Sequence, residues 1–259
     1  MIHRKTEEGI IVISQPAHAW VTGQLARHWG NQIFGGFEPC EEVNLAAALH
    51  DIGFLDWEMA PTLNPKTKLP YSFMEMPASQ HLEIWKKSVK EVLMYNRYAG
   101  LLVSMHFTWL CESQPSKAKE DQLLEKKFRN EQEELQTSII TSLENDYYYE
   151  AVSGDETIIR NRELVSIWDW MSLLFCMGFE EERVIENVPT VHGVTHIRLR
   201  PENDQSTRIS VDPWPFAGRT VQIRCEGRHL IKSQYDEQEL RDALLAASPM
   251  TLTFDLVRT

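Results

Sequence analysis

Residues 164–177, LVSIWDWMSLLFCM, are the most apolar stretch of this sequence and set the centre of the expected fold. All but three of these residues are apolar, so the pattern predicts a helix buried on nearly every side. The exceptions are Ser166, Asp169 and Ser172. An ionised aspartate in such surroundings costs several kcal/mol unless its charge is compensated. An arginine, a thin polar stripe shared with the two serines, or a metal ion would each compensate it.

The composition limits the class of protein. The chain has 259 residues, of which 42% are hydrophobic and 25% charged, as in an ordinary soluble globular protein. A net charge of −12 argues against broad nucleic-acid binding, which needs a basic surface, but is compatible with a small phosphorylated substrate. The four scattered cysteines, the lack of a signal sequence and the lack of a membrane span predict a cytoplasmic protein with no membrane partner.

The order of elements predicts a mostly α fold, a helical bundle with a small antiparallel β-sheet. We expect a β-hairpin over residues 1–15, a helical domain over 16–188 and a small β-rich subdomain over 189–259, whose sheet the hairpin joins. Residues 112–150 are dense in charge and predict a solvated helix, or a pair of helices, inserted into the helical domain. Strands and one helix are expected in the last subdomain, at 196–200, 208–211, 220–226, 229–233 and 251–257, with the helix at 237–247.

Two further apolar helices also carry polar side chains that are costly to bury, as residues 164–177 carry Asp169. The pair His50-Asp51 ends an Ala/Leu-rich helix, and His106 lies within LLVSMHF. A single histidine in such a place is usually a hydrogen-bonded core residue. One metal site shared by three helices would remove all three penalties together. Imidazole nitrogen and carboxylate oxygen bind divalent transition metals at roughly 2.0–2.2 Å.

These residues resemble a known family, the HD-domain superfamily. The chain reproduces, in order, the H…HD…H…H…D pattern of its dinuclear members with His18, His50, Asp51, His81, His106 and Asp169. The runs HDIGF and LDWE, and DPWPF at 212–216, are similar to an uncharacterised bacterial HD-like family of unknown function. The resemblance implies a helical domain with one or two divalent transition metals, Fe or Mn, with Zn, Ni or Mg as alternatives. It also implies that His18, His50, Asp51 and Asp169 hold one ion, and that Asp51 bridges to a second ion on His81 and His106.

The resemblance implies a metal-dependent hydrolase acting on a small phosphoester or nucleotide through a hydroxide held by the dinuclear centre. Asp51, Asp56 and Glu58 are the candidate catalytic residues, although the last two are also explained as solvated loop charges. Phosphodiesterase relatives often carry a lysine soon after the HD pair, where this chain has Phe54. A mixed-valent diiron oxygenase is kept as an alternative, because a small branch of the superfamily uses the same six ligands to activate O₂. That branch also tends to use a lysine for its substrate, so the missing lysine counts against both reactions. A non-catalytic sensor or scaffold stabilised by metal is the other alternative.

Overall fold

A computed structural model describes residues 1–231 and 235–259. Within them the chain forms eight α-helices, which are α1 (Gln15–His28), α2 (Cys40–Leu49), α3 (Leu55–Met59), α4 (Ala78–Leu93), α5 (Arg97–Ser113), α6 (Lys119–Glu144), α7 (Asp155–Met177) and α8 (Glu237–Ala246). The same residues form seven strands, which are β1 (Ile2–Lys5), β2 (Gly9–Ile13), β3 (Arg183–Thr190), β4 (Gly193–Pro201), β5 (Arg208–Asp212), β6 (Thr220–Ile231) and β7 (Pro249–Arg258).

One sheet contains all seven of these strands, in the order β1-β2-β6-β7-β5-β4-β3. Neighbouring strands are antiparallel except β5 and β7, which are parallel. Helices account for 51% of the residues and strands for 22%. The prediction of a mostly α bundle with a small antiparallel sheet is therefore wrong. The sheet is large and mixed because the N-terminal hairpin extends one edge and β7, the last strand in the chain, enters between β6 and β5.

Both faces of the sheet are covered near the N-terminal hairpin. Ile11 and Ile13 of β2 pack into the main core with the helices, whereas Ile10 and Val12 pack with Leu240 of α8 in a second cluster. A strand buried on both sides is expected to be continuously apolar, as the run IIVI is. The hairpin thus joins the sheet through β6, and α8 covers the outer face there.

Helix α7 lies at the centre of the molecule. It contacts α1, α2 and α5 on one side and strands β1 and β3 on the other. Trp168 and Phe175 are completely buried, as predicted for this apolar stretch, whereas Trp170 reaches the surface. The prediction of a buried helix is confirmed. Because α7 packs between helices and strands, a polar group in its buried central part, such as Asp169, is enclosed by protein.

Of the two alternatives expected for the charged region, the single helix is found, whereas one strand is not among those expected. The charged region holds one helix of 26 residues, α6, whose apolar stripe packs on α4 and α5 through Phe128, Ile139 and Leu143. Strand β3 is not anticipated, because its register shifts between Ile185 and Val188 and the shift hides the alternation of apolar residues.

The strand expected at 229–233 extends into residues 232–234, which lie outside the described residues. As described, β6 ends at Ile231. No helix in residues 1–231 or 235–259 is long and apolar enough to cross a membrane.

Candidate metal centre

Helix α1 brings the first candidate ligand to the centre of the molecule. The Ser14 side chain caps the helix by accepting a hydrogen bond from the Ala17 amide, and Pro16 occupies its first turn. The buried face that follows includes His18 and Thr22. Gly23 lets α1 approach α2, since a Cβ there would lie 2.7 Å from the Cβ of Ala48. The close approach sets the His18 helix beside the helix that ends in His50.

The His50-Asp51 pair lies where α2 gives way to a tight turn. His50 follows α2 as its C-cap residue and keeps helical backbone angles, and Asp51 is the N-cap residue of the 3-10 turn Ile52–Phe54. Gly53 holds this turn against α4: its amide donates to the Ser88 hydroxyl at 3.0 Å, and a Cβ would come within 2.6 Å of that residue's amide nitrogen. The turn therefore directs both His50 and Asp51 inward.

Five of the six expected ligands meet in the core: His18, His50, Asp51, His106 and Asp169, which we call the histidine–aspartate cluster. All five are buried. Asp169 Oδ1 lies 2.9 Å from His18 Nε2 and 3.3 Å from His50 Nε2, and its Oδ2 lies 3.4 Å from His106 Nε2. Asp51 Oδ2 lies 3.6 Å from His18 Nε2 and 3.5 Å from His50 Nε2.

These separations fit a metal ion. With ligand bonds of about 2.1 Å, neighbouring ligand atoms lie about 3.0 Å apart around an octahedral ion and about 3.4 Å apart around a tetrahedral one. The distances in the cluster, 2.9–3.6 Å, cover that range. His18, His50 and Asp169 form the tightest group, with all three ligand atoms within 4.8 Å of one another.

The imidazoles are held with their Nε2 atoms toward the carboxylates. His50 Nδ1 donates to the Ala47 carbonyl at 3.0 Å, and His106 Nδ1 lies 2.9 Å from the Ser166 hydroxyl. His18 Nδ1 lies 2.6 Å from the Ser172 hydroxyl. The three Nε2 atoms are buried and make no hydrogen bond in the described structure, although carboxylate oxygens are close. A histidine that binds a metal through Nε2 has the same arrangement: its Nδ1 makes a hydrogen bond and its Nε2 is free for the ion.

The serines explain this orientation. Ser166 donates its proton to the Arg162 carbonyl at 3.1 Å, and Ser172 donates to the Asp169 carbonyl at 2.9 Å. Each hydroxyl oxygen is then an acceptor for an imidazole Nδ1–H, which fixes the proton on Nδ1. The serines lie three residues before and after Asp169. That spacing, visible in the sequence as one polar stripe on α7, is the signal for this supporting role.

Burial and charge act against each other in the cluster. Burial alone would raise the pKa of Asp169, but the imidazoles of His106, His18 and His50 hold that pKa well below its usual value. The pKa of Asp51 is raised, chiefly by burial. Burial lowers the pKa of His50, yet the two aspartates outweigh it and raise the value to about 9. The imidazoles therefore favour the ionised form of Asp169, whereas burial favours the protonated form of Asp51.

His81 stands apart from the cluster. Its ring packs against Trp85 at 4.5 Å and Phe54 at 5.6 Å between ring centroids, and burial lowers its pKa to about 4. The contacts described for His81 are thus aromatic, whereas His106 faces Asp169 Oδ2. The expected pairing of His81 and His106 on a second ion bridged by Asp51 is not assembled, because those two histidines face different neighbours.

The two other acidic candidates lie outside the cluster. Asp56 is exposed and forms an ion pair with Lys87 on α4. Glu58 is buried, but it binds the amino group of Met1 at 2.7 Å and accepts a hydrogen bond from the Gln15 amide at 2.8 Å. Neither is among the described residues that line the cavity beside the cluster. Their expected catalytic role therefore has no support in the geometry, because both carboxylates are engaged elsewhere.

A cavity of about 630 Å³ opens onto the cluster. All five cluster residues and His81 contribute to its wall. Much of the remaining wall is apolar, with side chains such as Leu82, Trp85 and Phe107. A cavity of this size is in the range that takes a small-molecule ligand. An ion held by the cluster would therefore have a side open to a substrate, unlike the closed shell of a structural metal site.

Comparison with known proteins identifies the family. The model of the family described as "Protein of unknown function (DUF3891)" matches residues 1–232, which is most of the chain. The chain belongs to this family. No curated protein and no solved structure matches it. The family description names no reaction, so a function has to be argued from the cluster and its cavity.

Proposed function

We propose that this DUF3891 protein is a metal-dependent hydrolase of the HD type that acts on a small phosphoester. His18, His50, Asp51 and Asp169 would hold a divalent transition metal, with Fe or Mn as the first choice for this nitrogen and oxygen ligand set. His106 faces the second oxygen of Asp169 and extends the set toward a second ion. The free cysteines agree with a reducing compartment such as the cytoplasm.

The observation that carries this proposal is the position of the cluster in the wall of the cavity. Three buried imidazole nitrogens without hydrogen bonds and two carboxylates are costly to assemble, and a bound cation offsets that cost. A purely structural ion would be enclosed by its ligands. Here the ligand residues border a space large enough for a substrate, which favours catalysis over a scaffold role.

The residues divide the chemical work among them. A bound divalent ion lowers the pKa of a water molecule and polarises an ester oxygen. Asp169, ionised and fixed by three imidazoles, supplies the charge that retains the ion. Asp51 borders the cavity beside the other ligands, so its carboxylate is placed to hold the ion and to accept the proton of the attacking water. The apolar walls limit the entry of other water.

A mixed-valent diiron oxygenase of the HD type is the second candidate. One observation favours it: the described residues lining the cavity include no lysine or arginine that would bind a phosphate group. Without such a cation a phosphoester depends entirely on the metal for its binding, whereas an oxygenase substrate need not be anionic. His106, on the second oxygen of Asp169, suits either reaction.

The test is metal analysis of protein purified without added metal, followed by EPR before and after exposure to O₂ and by turnover of a phosphoester panel. The hydrolase requires metal-dependent release of phosphate, lost in His106→Ala and kept in the control His28→Ala, whose side chain is exposed at the end of α1. Two irons with a mixed-valence signal that O₂ changes, together with no hydrolysis, would favour the oxygenase. Bound metal without turnover in either assay would favour the sensor or scaffold.

A further inference from the structure

We propose that the substrate is amphipathic, with one metal-binding anionic group and an apolar alkyl or aryl body that fills the cavity, and that nucleotides are not substrates. This inference rests on the proposed function, since it places the anionic group at the cluster. It goes further by naming the part of the substrate that the protein itself recognises. The chemistry of the cavity wall, apart from the metal ligands, is what carries it.

The first observation is the apolar wall. Trp85 and Phe107 both line the cavity and stack on each other with ring centroids 4.8 Å apart and planes 10° apart, so part of the wall is aromatic. Leu173 and Met177, one turn apart on α7, also line it. Surfaces of this kind bind alkyl chains and aromatic rings by burial of apolar area, and they offer little to a sugar or a second phosphate.

The second observation is the charge of the wall. Beyond the cluster, the charged side chains that border the cavity within the described residues are Asp121 and Glu125, and both are acidic. Glu125 is buried and accepts hydrogen bonds from the Ser116 amide and hydroxyl, so its carboxylate is held in place. The guanidinium of Arg162 lies 5.5 Å from the Trp109 ring centroid, but Arg162 does not line the cavity. Fixed carboxylates without a cation disfavour a polyanion such as a nucleoside triphosphate.

The third observation is the mouth of the cavity. Met74, Trp109 and Trp170 line the cavity and are also 69%, 37% and 43% exposed, so they lie where it opens to solvent. An exposed group of large apolar side chains around an opening commonly marks a ligand-binding site. The apolar surface thus continues from the cluster to the outside. A long alkyl body could therefore extend out of the cavity without leaving apolar contact.

The experiment is a titration of the metal-loaded protein with n-alkyl phosphates from ethyl to octyl, followed by calorimetry and by tryptophan fluorescence. Each methylene that enters the cavity is expected to tighten binding about fourfold, equivalent to about 0.8 kcal/mol. The same series is repeated after chelation of the metal. The dependence on chain length measures the cavity, and the difference between loaded and chelated protein measures the metal centre.

These two quantities keep the inference and the proposed function separate. A steep dependence on chain length without any effect of metal would refute the proposed function and keep the apolar cavity. Affinity that does not change with chain length, or ATP binding as tightly as octyl phosphate, would overturn the inference. Trp109→Ala is expected to weaken octyl phosphate more than ethyl phosphate. Trp20→Ala, an exposed tryptophan on α1 outside the cavity, is the matched control and should change neither.

Discussion

Replacing Asp169 with asparagine should remove most of the stabilisation that a metal gives the protein. Asp169 touches three of the imidazoles in the cluster, and the amide keeps its shape but not its charge. Free metal at one hundred times its Kd stabilises a protein by about 2.7 kcal/mol, or roughly 5–10 °C in Tm for a chain of this size. A loss of about a hundredfold in affinity, the upper end for a group that only supports a ligand, leaves about 0.4 kcal/mol, or 1–2 °C.

Thermal unfolding with and without chelator measures this shift within each protein, so any change in the baseline stability of the variant cancels. Asp56→Asn is the matched control, because that carboxylate is exposed and pairs with Lys87 away from the cavity. We expect the control to keep the full difference between metal-loaded and chelated protein. If Asp169→Asn kept the full difference as well, with unchanged metal content, Asp169 would not be a ligand and the cluster would be wrongly assigned.

Three further outcomes are expected. Metal binding near pH 7 should release about one proton, because His50 has a pKa of about 9 in the metal-free protein and must lose its proton to become a ligand. Calorimetry in buffers of different ionisation enthalpy counts the protons released, and no release would contradict the assignment of His50 as a ligand. In a urea titration, Gly53→Ala should lower the free energy of unfolding by about 1–3 kcal/mol, because a Cβ at this position would lie 2.5 Å from the backbone of α4. Gly36→Ala is the control and should lower the free energy of unfolding far less, because a Cβ there would have no atom within 4 Å. Burial lowers the pKa of His81 to about 4 from an ordinary 6.5, so its contribution to stability is present above pH 6.5 and is lost as the pH falls toward 4. In metal-free protein, His81→Phe should therefore reduce the loss of stability between pH 7 and pH 5 by about 1–2 kcal/mol. An unchanged loss would show that burial does not hold His81 neutral.

The sequence indicates much of the candidate site for a simple physical reason. Asp169, His50, Asp51 and His106 lie on helices whose neighbouring residues are apolar, so the local sequence alone reveals the cost of burying them. The fold places all four together. His18 is suggested by the ordered family pattern rather than by burial, and it also lies in the cluster.

His81 and the two acidic residues after the HD pair show where such reasoning stops. His81 begins a helix after a proline-rich loop, and nothing local to it says that its ring will pack on Trp85 and Phe54 instead of the carboxylates. Glu58 is engaged by the amino group of Met1, a contact between residues far apart in the chain. Long-range partners of this kind are not encoded in spacing.

The sheet is the part least accessible from sequence. Buried and exposed residues alternate along several of its strands, most clearly along β6, so most strands can be recognised singly. Their order cannot, because β7 reaches its place between β6 and β5 only after the intervening helix α8. The bulge at Asn187, where φ is 58°, additionally hides β3. Pairing between distant segments is therefore the reason that a small antiparallel sheet is expected and a seven-stranded mixed sheet is found.

The most direct test of the metal centre is anomalous diffraction at the absorption edge of the metal found in the purified protein. We predict a peak about 2.0–2.2 Å from His18 Nε2, His50 Nε2 and Asp169 Oδ1, which are the closest group in the cluster. A second peak, if present, should lie beside His106. Fully loaded crystals with no peak in the cluster, or with the metal bound elsewhere, would contradict the account.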